Sequence, residues 1–303
     1  MRELHLATLV WGQPYLGLFL DWHLPTLLAQ GNVSAMQARK RFFIYTTIEE
    51  AQAIQGAPIF NVLASLAETV VFVQVGERPG DLAGGSVGRL MGQCQRDAIA
   101  RAWSEDAGLC WTFPDTLFAD GSFASVDRHI RAGGRAALAN GLCARIPEFF
   151  SGLSPDRHPT LSLPPRDLLR RALGCLHPFS LTSMWASPLF TTHPAAILWP
   201  AADAGLVQRC WHLNPVFVYP RRQAANFGAS LDGDFLELAV DYEDCAFLDD
   251  SDAFLLLELA EDNKPCLVGG AASIAQAAHW VRNWCRPINL RLALHPFRFH
   301  LGD

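Results

Sequence analysis

The chain has 303 residues, half of them hydrophobic and 18% charged, with a formal net charge of -6. That apolar content suffices for a large core and argues against long disordered regions. The acidic balance lacks the clustered Lys and Arg that grip a phosphate backbone, so nucleic acid is excluded as an expected partner. Apolar runs such as 4–11 and 254–257 fall far short of the roughly 18 to 20 residues that a bilayer span requires. The opening Arg2-Glu3 and His5 do not fit a signal peptide, so a soluble, cytoplasmic chain is expected. The eight cysteines (Cys94, Cys110, Cys143, Cys175, Cys210, Cys245, Cys266 and Cys285) stand singly, without a C-x-x-C pair, and read as reduced thiols.

Residues 4–10 form a β-rich apolar run. After Trp11-Gly12-Gln13-Pro14, the residues Leu16, Phe19, Leu20, Leu24, Leu27 and Leu28 recur at helical spacing, with Pro25 expected to end or kink the helix. The pattern repeats: a strand at 41–46, Thr47 capping a short helix to Ile54, a third strand at 69–75, a long helix at 87–103 and a fourth strand at 109–113. This alternation predicts right-handed βαβ crossovers and an α/β fold with an open, mostly parallel sheet and helices on both faces. Ligands then sit at the carboxyl ends of the strands, near the reversal of strand order.

A loop at 114–122 leads to a helix ending near Ala132, and 135–139 can be a fifth strand. From 141 to 165 periodicity is weak, and Ser154-Pro155-Asp156-Arg157-His158-Pro159 reads as an exposed tip or lid. Pro165 and Asp167 start a helix over 168–176, and Trp211-His212-Leu213-Asn214-Pro215 is a turn feeding a strand at 216–219. Residues 232–262 carry twelve acidic residues and no Lys or Arg, the pattern of a solvated face. Residues 271–284 are helical. The division expected is a domain over 1–235 and an acidic, helical extension over 236–303 packed on it.

There is no Walker P-loop, no G-x-G-x-x-G after the first strand and no G-x-S-x-G elbow. Gly84-Gly85-Ser86-Val87-Gly88 precedes a helix and can cradle an anion or serve as a flexible connector. More informative are a helix with Arg89, Arg96, Ala98, Ala100 and Ala102, the strand led by Gly108, and Asp115 at that strand's carboxyl end. These resemble nucleotide-sugar glycosyltransferases of the GT-A type, in which such a strand ends in an Asp-x-Asp motif. More narrowly, the chain is similar to family 2-like bacterial glycosyltransferase-like proteins of unassigned substrate. That likeness runs through Trp11-Gly12, Tyr15, Leu24-Pro25, Leu28, Gly31-Asn32, Pro114-Asp115, Asp120-Gly121-Ser122, His212-Leu213-Asn214-Pro215 and Asp232-Gly233-Asp234, and spans roughly residues 4–235.

The resemblance implies transfer of a sugar from a nucleotide-sugar donor to an acceptor that the sequence does not identify. It implies that Trp11, Gly12 and Tyr15 lie beside the nucleoside, where an aromatic ring can stack on the base. It places Asp115 and Asp120 against the diphosphate, holding Mg²⁺ or Mn²⁺ with His212 as a further ligand. Such hard cations accept one or two carboxylates with phosphate and water completing the shell. The base that takes the acceptor proton is Asp234 or Asp232. The departure is a single Asp where the family has two. Open beside these roles stand a turn and helix cap for Asp120-Gly121-Ser122, a packed ring for His212, and helix capping for Asp232 and Asp234. The string Asp249-Asp250-Ser251-Asp252 ranks behind Asp115. A catalytically inactive binding protein of the same fold, or a sugar nucleotidyltransferase, are the alternative functions.

Overall fold

Four strands rich in β-branched and aromatic residues, β1 (Glu3–Leu9), β2 (Arg39–Thr46), β3 (Thr69–Gln74) and β4 (Gly108–Thr112), pair in parallel. The structure is a computed structural model that describes residues 3–75, 86–153, 160–201, 205–223, 231 and 233–302. Three further strands complete a seven-stranded sheet: β6 (Ala136–Ala139), β10 (Asn214–Val218) and β11 (Cys245–Phe247). The order is β11-β6-β10-β4-β1-β2-β3, with β10 antiparallel to both of its neighbours. The mixed α/β fold with a largely parallel sheet is the one expected from the sequence.

Period-two alternation divides the strands between two hydrophobic cores, one on each face. Phe43, Tyr45, Leu109 and Trp111 enter one core, while Phe42, Ile44 and Cys110 enter the other. The long helix α5 (Ser86–Ser104) covers the first with Cys94, Ala98, Ile99 and Ala102. The second is covered by α4 (Pro58–Leu66) through Ile59 and Leu63 and by α6 (Ser122–Arg131) through Phe123 and Val126. The chain passes from β1 outward to β2 and β3, then returns to the other side of β1 with β4. The gap between the carboxyl ends of β1 and β4 is therefore the reversal point at which α/β sheets bind ligands.

Pro25 does not end the first helix. The turns α1 (Gln13–Leu18) and α2 (Leu24–Leu27) are joined by a π turn over Phe19–His23, closed by the Leu24 N–H bonding to the Phe19 carbonyl. The wide turn accommodates a proline ring that cannot donate to the preceding turn, and it swings His23 into the interior.

The weakly periodic stretch after 141 also holds regular structure, β7 (Leu142–Arg145) and α7 (Ile146–Phe150), while 154–159, the expected lid tip, lie outside the described residues. The boundary expected at 235 falls inside α10 (Gly233–Ala239), and β11 and β12 (Leu256–Ala260) lie beyond it. β12 is the centre of a three-stranded sheet between β5 (Thr116–Phe118) and β7, so the acidic run supplies strands and not only a solvated face. A third sheet joins β8 (Ala196–Pro200), β9 (Leu206–Cys210) and β13 (Phe297–Phe299). No helix among the described residues is long and apolar enough to cross a membrane.

Candidate functional site

The turn after β1 depends on Gly12, whose φ of 93° and ψ of 145° lie in a region essentially closed to side-chain-bearing residues. Its N–H donates to Glu50 Oε1 at 2.6 Å, while Glu50 Oε2 accepts from Thr46 Oγ1 at 3.0 Å. Glu50 also forms a capping box with Thr47 at the start of α3 (Ile48–Gly56). One buried carboxylate thus ties the ends of β1 and β2 together. Trp11 packs into the core with 7% of its surface exposed, whereas Tyr15 is 44% exposed. Burial, and after it the charges of Asp115 and Glu258, hold the Tyr15 phenol above its usual range, so its ring lies in the field of both carboxylates.

Asp115 lies in the short link between β4 and β5. The fully buried His23 spans that link: its Nδ1 meets the Thr116 carbonyl oxygen at 2.7 Å and its Nε2 meets Thr112 Oγ1 at 3.2 Å. The carbonyl can only accept, so Nδ1 carries the proton and Nε2 accepts from the threonine hydroxyl. From the other side, the Leu259 N–H donates to the Asp115 carbonyl oxygen at 2.7 Å, and β12 sets Glu258 opposite Thr116. Asp115 and Glu258 both line a cavity of about 390 Å³. Burial, with Glu258 second, pushes the Asp115 carboxyl up to about 7; its own backbone N–H and Lys264 act against the rise. Lys264 is ion-paired with Glu258; burial is the largest single influence and pulls its ammonium down, but the charge and hydrogen bond of Glu258 together with Cys143 and Asp115 hold it above its usual range.

His212 lines the same cavity, with its Nε2 4.0 Å from Cys285 Sγ and its ring edge-on to Trp280 at 5.5 Å. Asp120 does not line it: the Asp120 N–H donates to Leu163 and its Oδ1 accepts from the Gly31 N–H at 3.0 Å. A Cβ at Gly31 would collide with that carboxylate, so the close approach requires glycine. Asp234 is in the first turn of α10, while Asp232 and Gly84-Gly85 lie outside the described residues. The Asp249–Asp252 string is a turn in which Asp250 accepts from the Asp252 N–H and Asp252 pairs with Arg166.

The ligating atoms of Asp115, Asp120 and His212 do not form a mutually close trio. Among the described residues, one such trio exists, Glu3, His5 and Glu105 at the opposite, amino end of β1. There Arg41 pairs with both glutamates and Arg39 with Glu3. Two guanidinium groups already balance two carboxylates, which makes this an ion-pair network.

Glu258, Gln95 and Trp111 were not singled out by the sequence reading. Glu258 had a signal: it is the sole charged residue in the apolar run Phe254–Ala260. Gln95 had none, since one more polar residue on a long helix carries no message.

No protein-family model and no curated protein matches this chain. Among solved structures, TarS of S. aureus is similar over 46% of this chain and 22% of its own, at 9% identity and a TM-score of 0.31. A protein from Bacillus anthracis described as a glucose-1-phosphate thymidylyltransferase is similar over 46% of this chain and 55% of its own, at 14% identity and a TM-score of 0.29. The matched region therefore spans less than two thirds of either protein. Both likenesses are distant, and the functional reading rests on the cavity.

Proposed function

We propose that the chain is a glycosyltransferase that moves a sugar from a nucleotide-sugar donor to an acceptor hydroxyl. The observation that carries this reading is Asp115: a strand-end carboxylate, locked between His23 and β12, at a cavity beside the reversal point of a parallel sheet. Gly12 and Tyr15 border the nucleoside side of the crevice. Trp11 contributes from beneath, as packing under that turn.

Transfer breaks the bond between the sugar's anomeric carbon and the diphosphate and forms one to the acceptor oxygen. The acceptor proton passes to a carboxylate, for which we propose Asp234 or Asp232. Leu231, the residue before Asp232 in sequence, lines the cavity, which supports seeking the base here. The described lining contains no Lys or Arg, so a diphosphate brought here needs a cation to offset its charge. Asp115 offers Mg²⁺ or Mn²⁺ an oxygen ligand, with donor phosphates and water completing the shell. His212 is a second-ranked ligand and Asp120 a third, since its Oδ1 is engaged by Gly31. When bound, the cation would stabilise the charge that develops on the departing diphosphate.

Calorimetric titration with a panel of nucleoside diphosphates, with and without Mn²⁺, is the direct test, paired with donor hydrolysis by wild type and Asp115→Ala. Cation-dependent binding and loss of hydrolysis in the variant are expected. Binding without any turnover would replace this reading with that of an inactive binding protein, and full hydrolysis by Asp115→Ala would end the role of Asp115.

A further inference from the structure

Two side chains that line the cavity each carry one buried donor with no partner among the described residues. Gln95, on α5, is 1% exposed; its Oε1 accepts from the Leu231 N–H at 3.1 Å, which fixes the amide orientation and commits Nε2 as a donor. Nε2 itself has no partner among the described residues. Trp111, on β4, is 5% exposed, and its Nε1–H also has no partner among the described residues. Both line the cavity. A buried donor left unpaired works against folding, and two on one wall are the mark of a site whose ligand supplies the acceptors.

The charge of the cavity narrows that ligand. The described lining carries two carboxylates, Asp115 and Glu258, and no Lys or Arg; Lys264 is taken up by Glu258. Away from the cation that would accompany the donor diphosphate, an acidic sugar substituent would meet these carboxylates with no Lys or Arg in the described lining to offset it. Hydroxyls, by contrast, can donate to the carboxylates and accept from the Gln95 and Trp111 N–H groups. An indole wall beside carboxylate and amide groups suits a ring that has apolar faces and a polar edge.

We infer that the inner cavity selects an uncharged, hydroxyl-bearing sugar and discriminates against acidic sugars, with Gln95 Nε2 and Trp111 Nε1 each donating to one of its oxygens. The inference rests on the glycosyl-transfer reading for the sugar's attachment to a nucleotide, but not for the pocket itself.

The test is calorimetric titration of the full chain with three ligands that share one nucleotide, the bare diphosphate, its neutral hexose conjugate and its uronic acid conjugate, and with the free methyl hexoside. Wild type is expected to bind the neutral conjugate at least about tenfold more tightly than the uronate. Gln95→Leu and Trp111→Phe, each close in shape to the native residue, are expected to lose about tenfold for the neutral conjugate while bare diphosphate affinity is unchanged. Trp111→Phe removes only an unsatisfied buried donor, so its melting temperature should equal or exceed that of wild type, whereas Gln95→Leu also strips the Leu231 N–H of its acceptor and is expected to melt lower. Unchanged affinity for the bare diphosphate in both variants separates a binding defect from misfolding. Equal or tighter binding of the uronate, or unaltered neutral-sugar binding in both variants, overturns the inference. Methyl hexoside binding that both variants lose, without binding of any nucleotide, would sink the glycosyl-transfer reading and leave the sugar pocket standing. If wild type binds neither the neutral conjugate nor the hexoside, the pocket assignment falls.

Discussion

His23 and Thr116 are joined by a 2.7 Å hydrogen bond that crosses from the first helix to the start of β5, and this bond holds the link bearing Asp115 in place. The same ring reaches back to Thr112 at 3.2 Å, so one imidazole fixes both ends of the five-residue span from Thr112 to Thr116. The arrangement needs the neutral tautomer, because protonation of Nε2 would turn the acceptor of the Thr112 hydroxyl into a second donor.

Burial pulls His23 down from 6.5 to about 4, against the smaller, opposing effect of the bond to Thr116. Its folded-state pKa is depressed, so its contribution to stability is complete above 6.5 and is lost as pH falls toward 4. Between pH 7 and pH 5 the unfolded chain gains a proton here that the folded chain does not. Wild type should lose about 2 kcal/mol more than His23→Phe over that interval, measured by urea denaturation of both at each pH. Parallel losses in the two proteins would show that His23 is not held neutral.

Asp115 works in the opposite sense. Its carboxyl is pushed up to about 7 by burial and then by Glu258. The stability associated with the protonated group is therefore complete below about 3.8, the usual Asp value, and is lost as pH rises through about 7. At pH 8 the ionised carboxylate opposes folding. Asp115→Asn should then be more stable than wild type by about 1 kcal/mol, a figure reduced from the full shift because the side chain keeps part of its surface in water. The gain should shrink toward zero near pH 4, while donor hydrolysis is lost at every pH. A residue kept at a cost in stability and required for activity is a functional residue; a variant that is less stable at pH 8 would make Asp115 structural.

The parallel half of the fold was legible because its strands alternate with helices and carry their own punctuation, such as Thr47 at the start of α3, although α4 went unread. Asp115 was legible for the same reason: a strand that ends in Pro-Asp announces its position. What escaped notice depends on distant pairing. β12 is hidden by the acidic residues around it, and only its pairing with β5 and β7 shows that Glu258 faces the cavity. His23 sits in an apolar helical run where a buried histidine and a surface one look alike in sequence, and the π turn that rotates it inward has no local signature. Trp11 shows the converse, an aromatic residue at the turn after β1 whose own burial sets it beneath the surface.

The cysteines offer a test of burial. None is paired, and Cys94, Cys110, Cys143 and Cys210 are buried, with Cys94, Cys143 and Cys210 pushed up to about 12, chiefly by burial. All eight should react with a thiol reagent after denaturation without reductant. In the native protein at pH 8 these four should react at least about a hundredfold more slowly than a free thiol, because both access and ionisation are suppressed. A native disulfide found by mass, or rapid modification of Cys110 or Cys210, would contradict this packing.

Asp120 can be assigned by comparing two substitutions. Its Oδ1 accepts from the Gly31 N–H at 3.0 Å, and the Cβ-free surface of Gly31 is what allows the carboxylate to sit there. That contact fastens the end of the first helical segment to the turn before α6, where the Asn32 side chain also accepts from the Phe123 N–H at 3.1 Å. An asparagine at 120 keeps an oxygen that can accept from Gly31, whereas alanine leaves a backbone donor unpaired. If the role is to hold this junction, Asp120→Asn should stay within about 0.5 kcal/mol of wild type, and Asp120→Ala should lose about 1 to 3 kcal/mol. Cation-dependent diphosphate binding by Asp120→Asn should then match wild type, because the charge that it removes is not one that the cavity uses. If instead Asp120→Asn is as stable as wild type but loses its cation requirement, the carboxylate is a ligand, and the link to Gly31 serves to position it.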